Sequence, residues 1–189
     1  MELFRKIRLK AGRSMLAGKS SRVRRRPIYT NFKNVKSIGL VWDASRPEDF
    51  ILLSRFHQKM TELNIDFRIF GFYPGKVLPD QFTAVRFLNC LKKSEVDFFY
   101  RPDSPDAIKF AEIKFDVLID ANFQKLFPLV CITTLSQARF KVGLDDNEAE
   151  NSPFDLMISM KKPINLEEYL EQVIFYLDMI NSETSKKAV

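Results

Sequence analysis

Glycine is scarce in this 189-residue chain, at six residues, and none falls in a G-x-G-x-x-G or G-x-x-x-x-G-K-[ST] arrangement. A phosphate-cradling turn needs glycines so that successive backbone N–H groups can approach the anion. The usual dinucleotide or nucleoside-triphosphate cradle is therefore excluded, and no cofactor is expected. Histidine occurs once, and the two cysteines, Cys90 and Cys131, form no C-x-x-C pair. That donor set does not suit a zinc centre. Both thiols sit in apolar runs and read as buried and free, which fits a reducing compartment. A nucleophilic triad would place His57 beside a serine or cysteine with an orienting acid. Nothing in the spacing supplies those partners, so His57 reads as an ordinary helix-surface residue.

Long apolar runs are missing too: none reaches the ~18 residues that a bilayer span requires. The N-terminus carries the charge of a secretory signal without its apolar stretch, although its Arg-rich composition overlaps that of organellar transit peptides. A cytoplasmic location is the default expectation. Acids are absent from one region in particular. Residues 1–36 hold twelve Lys and Arg beside Glu2 alone, and the remaining 153 residues hold 18 basic and 23 acidic groups. The net +6 thus divides into an arm of +11 and a body of −5. A segment so lopsided is built to meet a polyanion.

Within that arm, Leu3, Phe4, Ile7, Ala11 and Met15 recur at helical spacing among Arg5, Lys6, Arg8, Lys10 and Arg13. This pattern predicts a basic amphipathic helix to about Leu16, weakened by Gly18, Ser20 and Ser21. Arg22 to Arg26 form a cationic run closed by Pro27, dense enough in charge to lack fixed structure without a partner. Tyr29 and Phe32 are placed to dock the exit of the arm onto the body, with base stacking as the alternative.

The body alternates strand and helix signals. Residues 37–42 and 67–72 are near-continuous apolar runs, as for strands buried on both faces. Between them a helix opens at Pro47-Glu48-Asp49 and stops at Asn64. Residues 73–105 are the least regular, with an edge strand at 85–91. A short helix from Pro105 ends near Glu112, and 115–120 form a strong strand. A helix at 126–136, a strand at 140–143, an acidic loop (Asp145, Asp146, Glu148, Glu150) and a strand at 154–158 follow. The last helix carries a wide apolar stripe from Leu166 to Ile180. The alternation implies a single Rossmann-like α/β domain: a doubly wound, mostly parallel sheet of five or six strands with helices on both faces. The expected organisation is a basic arm at 1–35, the α/β domain at 36–181 and a frayed tail at 182–189. Eighteen phenylalanines against five tyrosines and one tryptophan suit a core that needs area without polar atoms.

Such a sheet binds ligands beyond the C-terminal ends of its strands, which nominates Asp43, Ser45, Asp120 and Asn122 as a possible crevice. Asp43 and Asp120 side by side would share a proton or hold Mg²⁺; the commoner role for an acid at a strand end is capping the following turn. No other metal ligands and no catalytic residue are nominated. The candidate polyanion contacts are Arg5, Lys6, Arg8, Lys10, Arg13, Lys19, Arg22, Arg24, Arg25 and Arg26.

One segment carries a resemblance. Phe115-Asp116-Val117-Leu118-Ile119-Asp120, a helix, then Leu135-Ser136-Gln137-Ala138-Arg139-Phe140-Lys141-Val142-Gly143 is similar to a strand–helix–strand unit in the N-terminal half of heptosyltransferases. The chain lacks that family's nucleotide-sugar-binding half and its glycine-bearing first loop, so the resemblance implies fold and transfers no catalytic residue. As a whole the chain resembles a group of uncharacterised Bacteroidota proteins with a basic N-terminus. The expectation is a non-enzymatic accessory protein whose arm engages structured RNA, such as ribosomal RNA or a ribonucleoprotein. One alternative is a peripheral protein held on an anionic membrane surface by the amphipathic helix. The other is a divergent glycosyltransferase-like enzyme using Asp43 or Asp120. Oligomeric state is not legible.

Overall fold

The computed structural model describes residues 2–145 and 152–180. Asp146, Glu148 and Glu150 of the acidic loop, and the tail at 182–189, lie outside the described residues.

Ser37–Asp43 (β1) is central because it has no polar face to offer water: Ile38 through Asp43 are all buried. It pairs in parallel with Asp66–Tyr73 (β2) on one side and Val117–Ala121 (β4) on the other. Leu88–Lys92 (β3) extends the β2 side. Phe140–Leu144 (β5) and Leu156–Ile158 (β6) extend the β4 side. The spatial order is β3-β2-β1-β4-β5-β6, and every pairing within the sheet is parallel. This is the six-stranded Rossmann-like order, with its switch point between β1 and β4.

Parallel neighbours require crossover helices, and these divide between the two faces. One face is covered by Asp49–Glu62 (α2), the single turn Asp80–Thr83 (α3) and Leu166–Met179 (α6), which meet Leu40, Trp42, Ile119 and Val142. Pro105–Glu112 (α4) and Phe127–Leu135 (α5) cover the other, over Val41, Phe70 and Leu118. Local chemistry sets the ends. Asn64 closes α2 at φ 58°, a left-handed conformation that asparagine tolerates. Ser104 caps α4 by accepting the Asp106 N–H at 3.3 Å, with Pro105 in the first turn. Asn165 caps α6 through the Glu168 N–H at 3.1 Å.

Several boundaries shift: β3 begins at Leu88 and β6 at Leu156, where strands were expected from 85 and 154. The β4 strand begins at Val117, not Phe115; Phe115 is fully buried, with its ring packed where Gly39 leaves room. The N-terminal helix, Glu2–Ser20 (α1), runs through Gly18, past the predicted end at Leu16.

α1 forms a third layer, for a reason visible in α5. The segment Phe127-Pro128-Leu129-Val130-Cys131-Ile132-Thr133-Thr134-Leu135 has no polar face, as in a helix buried all round. Leu129 and Ile132 face the sheet, and Phe127 and Cys131 on the outer side pack with Leu16 and Leu9 of α1. Gly12 permits the close approach: a Cβ there would stand 2.5 Å from the Phe99 carbonyl oxygen and 2.8 Å from the Phe127 ring.

Candidate functional site

The docking of α1 sorts the arm's cations. Arg5, Lys6, Lys10, Arg13, Lys19, Arg22, Arg24 and Arg26 are exposed. The Lys6–Glu2 contact of 3.7 Å is a surface pair of little energetic weight. Arg8 is half-buried: its Nε donates to the Phe98 carbonyl at 2.6 Å, and its guanidinium lies over the Phe98 and Tyr100 rings at 4.1 and 4.5 Å. Arg25 is the other exception. Its guanidinium forks onto both oxygens of Asp155 at 2.7 and 2.9 Å and reaches the Pro153 carbonyl at 3.1 Å. Arg25 is therefore removed from the candidate contacts, and the run from Arg22 to Arg26 has a fixed point that the sequence did not suggest. Further along, the Ile28 N–H donates to the Arg139 carbonyl at 3.0 Å, and Tyr29 packs on Phe140 with ring centroids 5.3 Å apart. Phe32 packs against the core.

The face of α1 that docks is not the one its hydrophobic pattern points to. At roughly 100° per residue, Leu3, Phe4, Ile7, Ala11 and Met15 share one sector of the helix. Leu9, Gly12 and Leu16 lie about 150° around from its midline. Leu3, Phe4 and Ile7 remain 69, 73 and 57% exposed.

At the sheet's C-terminal edge, the structure brings the four crevice residues near the switch point but engages each locally. Asp43 accepts the Ser45 N–H at 3.0 Å, an Asx turn. The Ala44 N–H donates to Phe72, and Asp49 and Phe50 donate to Arg46 and Pro47. Glu48 and Asp49 add negative charge at the start of α2, so this helix end repels phosphate where a nucleotide-binding fold would attract it. Asp120 is likewise engaged: Oδ1 accepts the Asn122 N–H at 2.8 Å, and Oδ2 accepts the Thr133 hydroxyl. Asn122 ties the following loop by exchanging two hydrogen bonds with the Leu126 backbone. The Tyr169 hydroxyl donates to the Asp120 carbonyl at 2.9 Å. Asp43 and Asp120 thus occupy neighbouring strands at diagonal positions, Asp120 pairing in register with Val41. Among the described residues no group of three or more His, Cys, Asp or Glu side chains is placed to hold a metal.

Sequence reasoning missed Lys141, which lies almost wholly buried on β5. Its Nζ donates to the Thr133 and Thr134 carbonyls at 2.7 and 3.2 Å, covering the C-terminal end of α5. Burial pulls the ammonium down to about 7, and the nearby Arg25 guanidinium adds to the effect. Burial pushes the Asp120 carboxyl up to about 6, against the Thr133 and Asn122 hydrogen bonds. The hollow beside Asp120, Thr133 and Phe154 holds about 150 Å³, well under the ~300 Å³ at which ligand pockets begin. A larger hollow of about 470 Å³ lies between α1, α4 and α5, away from the strand ends, and contains Cys131. Burial pushes the Cys131 and Cys90 thiols up to about 12, which removes them as nucleophiles near neutral pH. His57 stacks on Phe87 with centroids 4.0 Å apart, and burial lowers its pKa. No helix among the described residues is long and apolar enough to cross a membrane.

Comparison with curated proteins finds no match. A family model matches residues 6–180, from within α1 to the end of α6, and on that match the chain belongs to DUF6913, a family of unknown function.

Proposed function

We propose that this protein is a non-enzymatic binding module whose N-terminal arm engages a polyanion. The observation that carries this reading is that, of the ten candidate cations, Arg8 and Arg25 are engaged with the body and the other eight are exposed. Arginine predominates in the run, and its planar fork suits two phosphate oxygens at once. Structured RNA and anionic lipid headgroups both present such phosphates, and a cytoplasmic setting accords with two free thiols. The enzyme reading has less support. Asp43 and Asp120 are both taken up by their own turns, and the hollow that the described residues leave beside Asp120 holds only about 150 Å³. The likeness of residues 115–143 to heptosyltransferases is carried forward as fold alone.

The test is the salt dependence of binding to heparin and to a structured RNA. Several phosphate contacts make log K fall steeply against log salt, by about 0.7 to 0.9 per cation engaged. Tight binding at ~50 mM salt that is lost at several hundred millimolar supports the reading. No binding to either probe at the lower salt overturns it.

A further inference from the structure

We propose that the exposed apolar sector of α1 is a docking surface for an anionic lipid bilayer, with the helix lying in the headgroup plane. The proposal rests on the polyanion reading and names its partner. Leu3, Phe4, Ile7 and Met15 are all exposed and share one sector of a single helix. Exposed apolar side chains are ordinary when scattered, but a contiguous stripe marks a surface meant to be covered. Folding does not cover it, because α1 grips α5 with Leu9, Gly12 and Leu16 on its far side. The body therefore sits behind the helix, and among the described residues Leu3, Phe4, Ile7 and Met15 stay exposed.

The flanks identify the occupant. Around the helix, Lys6, Lys10 and Arg13 are exposed and border one edge of the stripe; on the other edge Arg8 is folded onto Phe98 and Tyr100. An apolar strip beside a cationic margin matches a bilayer surface, where acyl chains lie beneath anionic headgroups and long basic side chains reach up to them. RNA offers phosphates to the cations and a base to stack on Phe4, but no apolar partner for Leu3, Ile7 and Met15. A second copy of the chain would bring one +11 arm against another, which like-charge repulsion opposes. At 19 residues, or roughly 28 Å, and interrupted by charge, α1 lies on a bilayer and does not span it. Arg22, Arg24 and Arg26 follow directly and extend the headgroup contact.

The experiment uses the full chain with vesicles of phosphatidylcholine alone and of phosphatidylcholine mixed with phosphatidylglycerol, and with heparin and structured RNA in parallel. The expected result is sedimentation with the mixed vesicles and not with phosphatidylcholine alone. The neutral pair Phe4→Ser and Ile7→Ser should lower vesicle affinity by about tenfold or more while leaving heparin retention unchanged. Lys6→Gln, Lys10→Gln and Arg13→Gln together should weaken both. All five side chains are exposed, so thermal unfolding should match the parent, with Leu3→Ser replacing either apolar variant that does not. Binding to heparin or RNA without binding to vesicles overturns the bilayer proposal and leaves the polyanion reading standing. So does vesicle binding that the Phe4 and Ile7 variants leave intact. Failure with all three probes overturns both.

Discussion

Arg25 and Asp155 meet through two near-parallel hydrogen bonds of 2.7 and 2.9 Å, across 130 residues of sequence and with both side chains largely shielded from water. The same carboxylate accepts the Lys141 N–H at 2.8 Å. One residue of the cationic run thus fastens the arm's exit to the connection between β5 and β6. The arm is consequently divided into a structural cation and a set of exposed ones, which composition alone treats as equivalent.

Arg25→Ala should destabilise the fold by about 3 kcal/mol, because it leaves the Asp155 carboxylate shielded and without its counter-charge. Arg25→Lys should fall between the two, keeping charge but losing the fork. Urea denaturation followed through Trp42, which is buried in β1, reads the difference. In polyanion binding the order reverses: Arg22→Ala, Arg24→Ala and Arg26→Ala should each reduce the salt slope by about 0.9, and Arg25→Ala should barely alter it. Equal stability losses at all four arginines would refute this division.

Gly12 and Gly18 share α1 and make opposite predictions. In an exposed helix, Gly→Ala stabilises by up to about 1 kcal/mol. Nothing stands within 4 Å of a Cβ at Gly18, so Gly18→Ala should follow that rule. At Gly12 the new methyl meets the Phe99 carbonyl and the Phe127 ring, so Gly12→Ala should destabilise by about 1–3 kcal/mol and lift α1 from α5. Cys131 lies beneath that contact. In a Cys90→Ser background its labelling by a thiol reagent should be slow in the parent, slow in Gly18→Ala and faster in Gly12→Ala. Stabilisation by both alanines would mean that α1 does not dock as described.

Much of the sheet was legible because its strands are largely buried on both faces, which makes 37–42, 67–72 and 140–143 mostly apolar, broken by Arg68 and Lys141. The turn roles of Asp43 and Asp120 were legible for a similar reason: an acid at a strand end followed by a short loop has a nearby N–H to accept. Phe115 misled the start of β4 because burial, not strand pairing, selects a phenylalanine there. Lys141 was not legible, since a lysine in a strand reads as a solvent-facing alternate until the carbonyl end of α5 is placed above it. Nor was Arg25, whose partner only the fold brings near. The docking face of α1 was missed because it holds just two large apolar residues, Leu9 and Leu16. The signal lay in α5, whose lack of any polar face calls for cover from outside the sheet.

Asp120 should make stability fall as pH rises through the acid range. Its carboxyl is pushed from an ordinary 3.8 to about 6 by burial, so between those values the folded state holds a proton that the unfolded state has released. Stability decreases with pH wherever the folded state binds more protons. The contribution is present below pH 4 and is lost by about pH 6, to a limit of roughly 3 kcal/mol. Asp120→Asn preserves the shape, with its oxygen able to accept the Asn122 N–H and its amide able to donate to Thr133. The parent-minus-variant difference in unfolding free energy should decline between pH 4 and 6, and a flat difference would refute the assignment.

Lys141 should act in the opposite direction over a higher range. Burial and the Arg25 guanidinium lower its ammonium from an ordinary 10.5 to about 7, although Asp155 and Asp120 favour the charge. Between those values the unfolded state binds the extra proton, so stability rises with pH. The neutral amine still donates to the Thr133 and Thr134 carbonyls, and deprotonation relieves desolvation without breaking the cover on α5. From pH 7 to 9 the gain should reach roughly 2–3 kcal/mol relative to Lys141→Met, which has similar length and no charge to titrate. Arg25→Ala should shrink that gain, since removing the guanidinium lets the ammonium titrate closer to its ordinary value. If Lys141→Met and the parent gain or lose stability in parallel across pH 7 to 9, Lys141 is charged throughout, and the amine's environment is wetter than its burial implies.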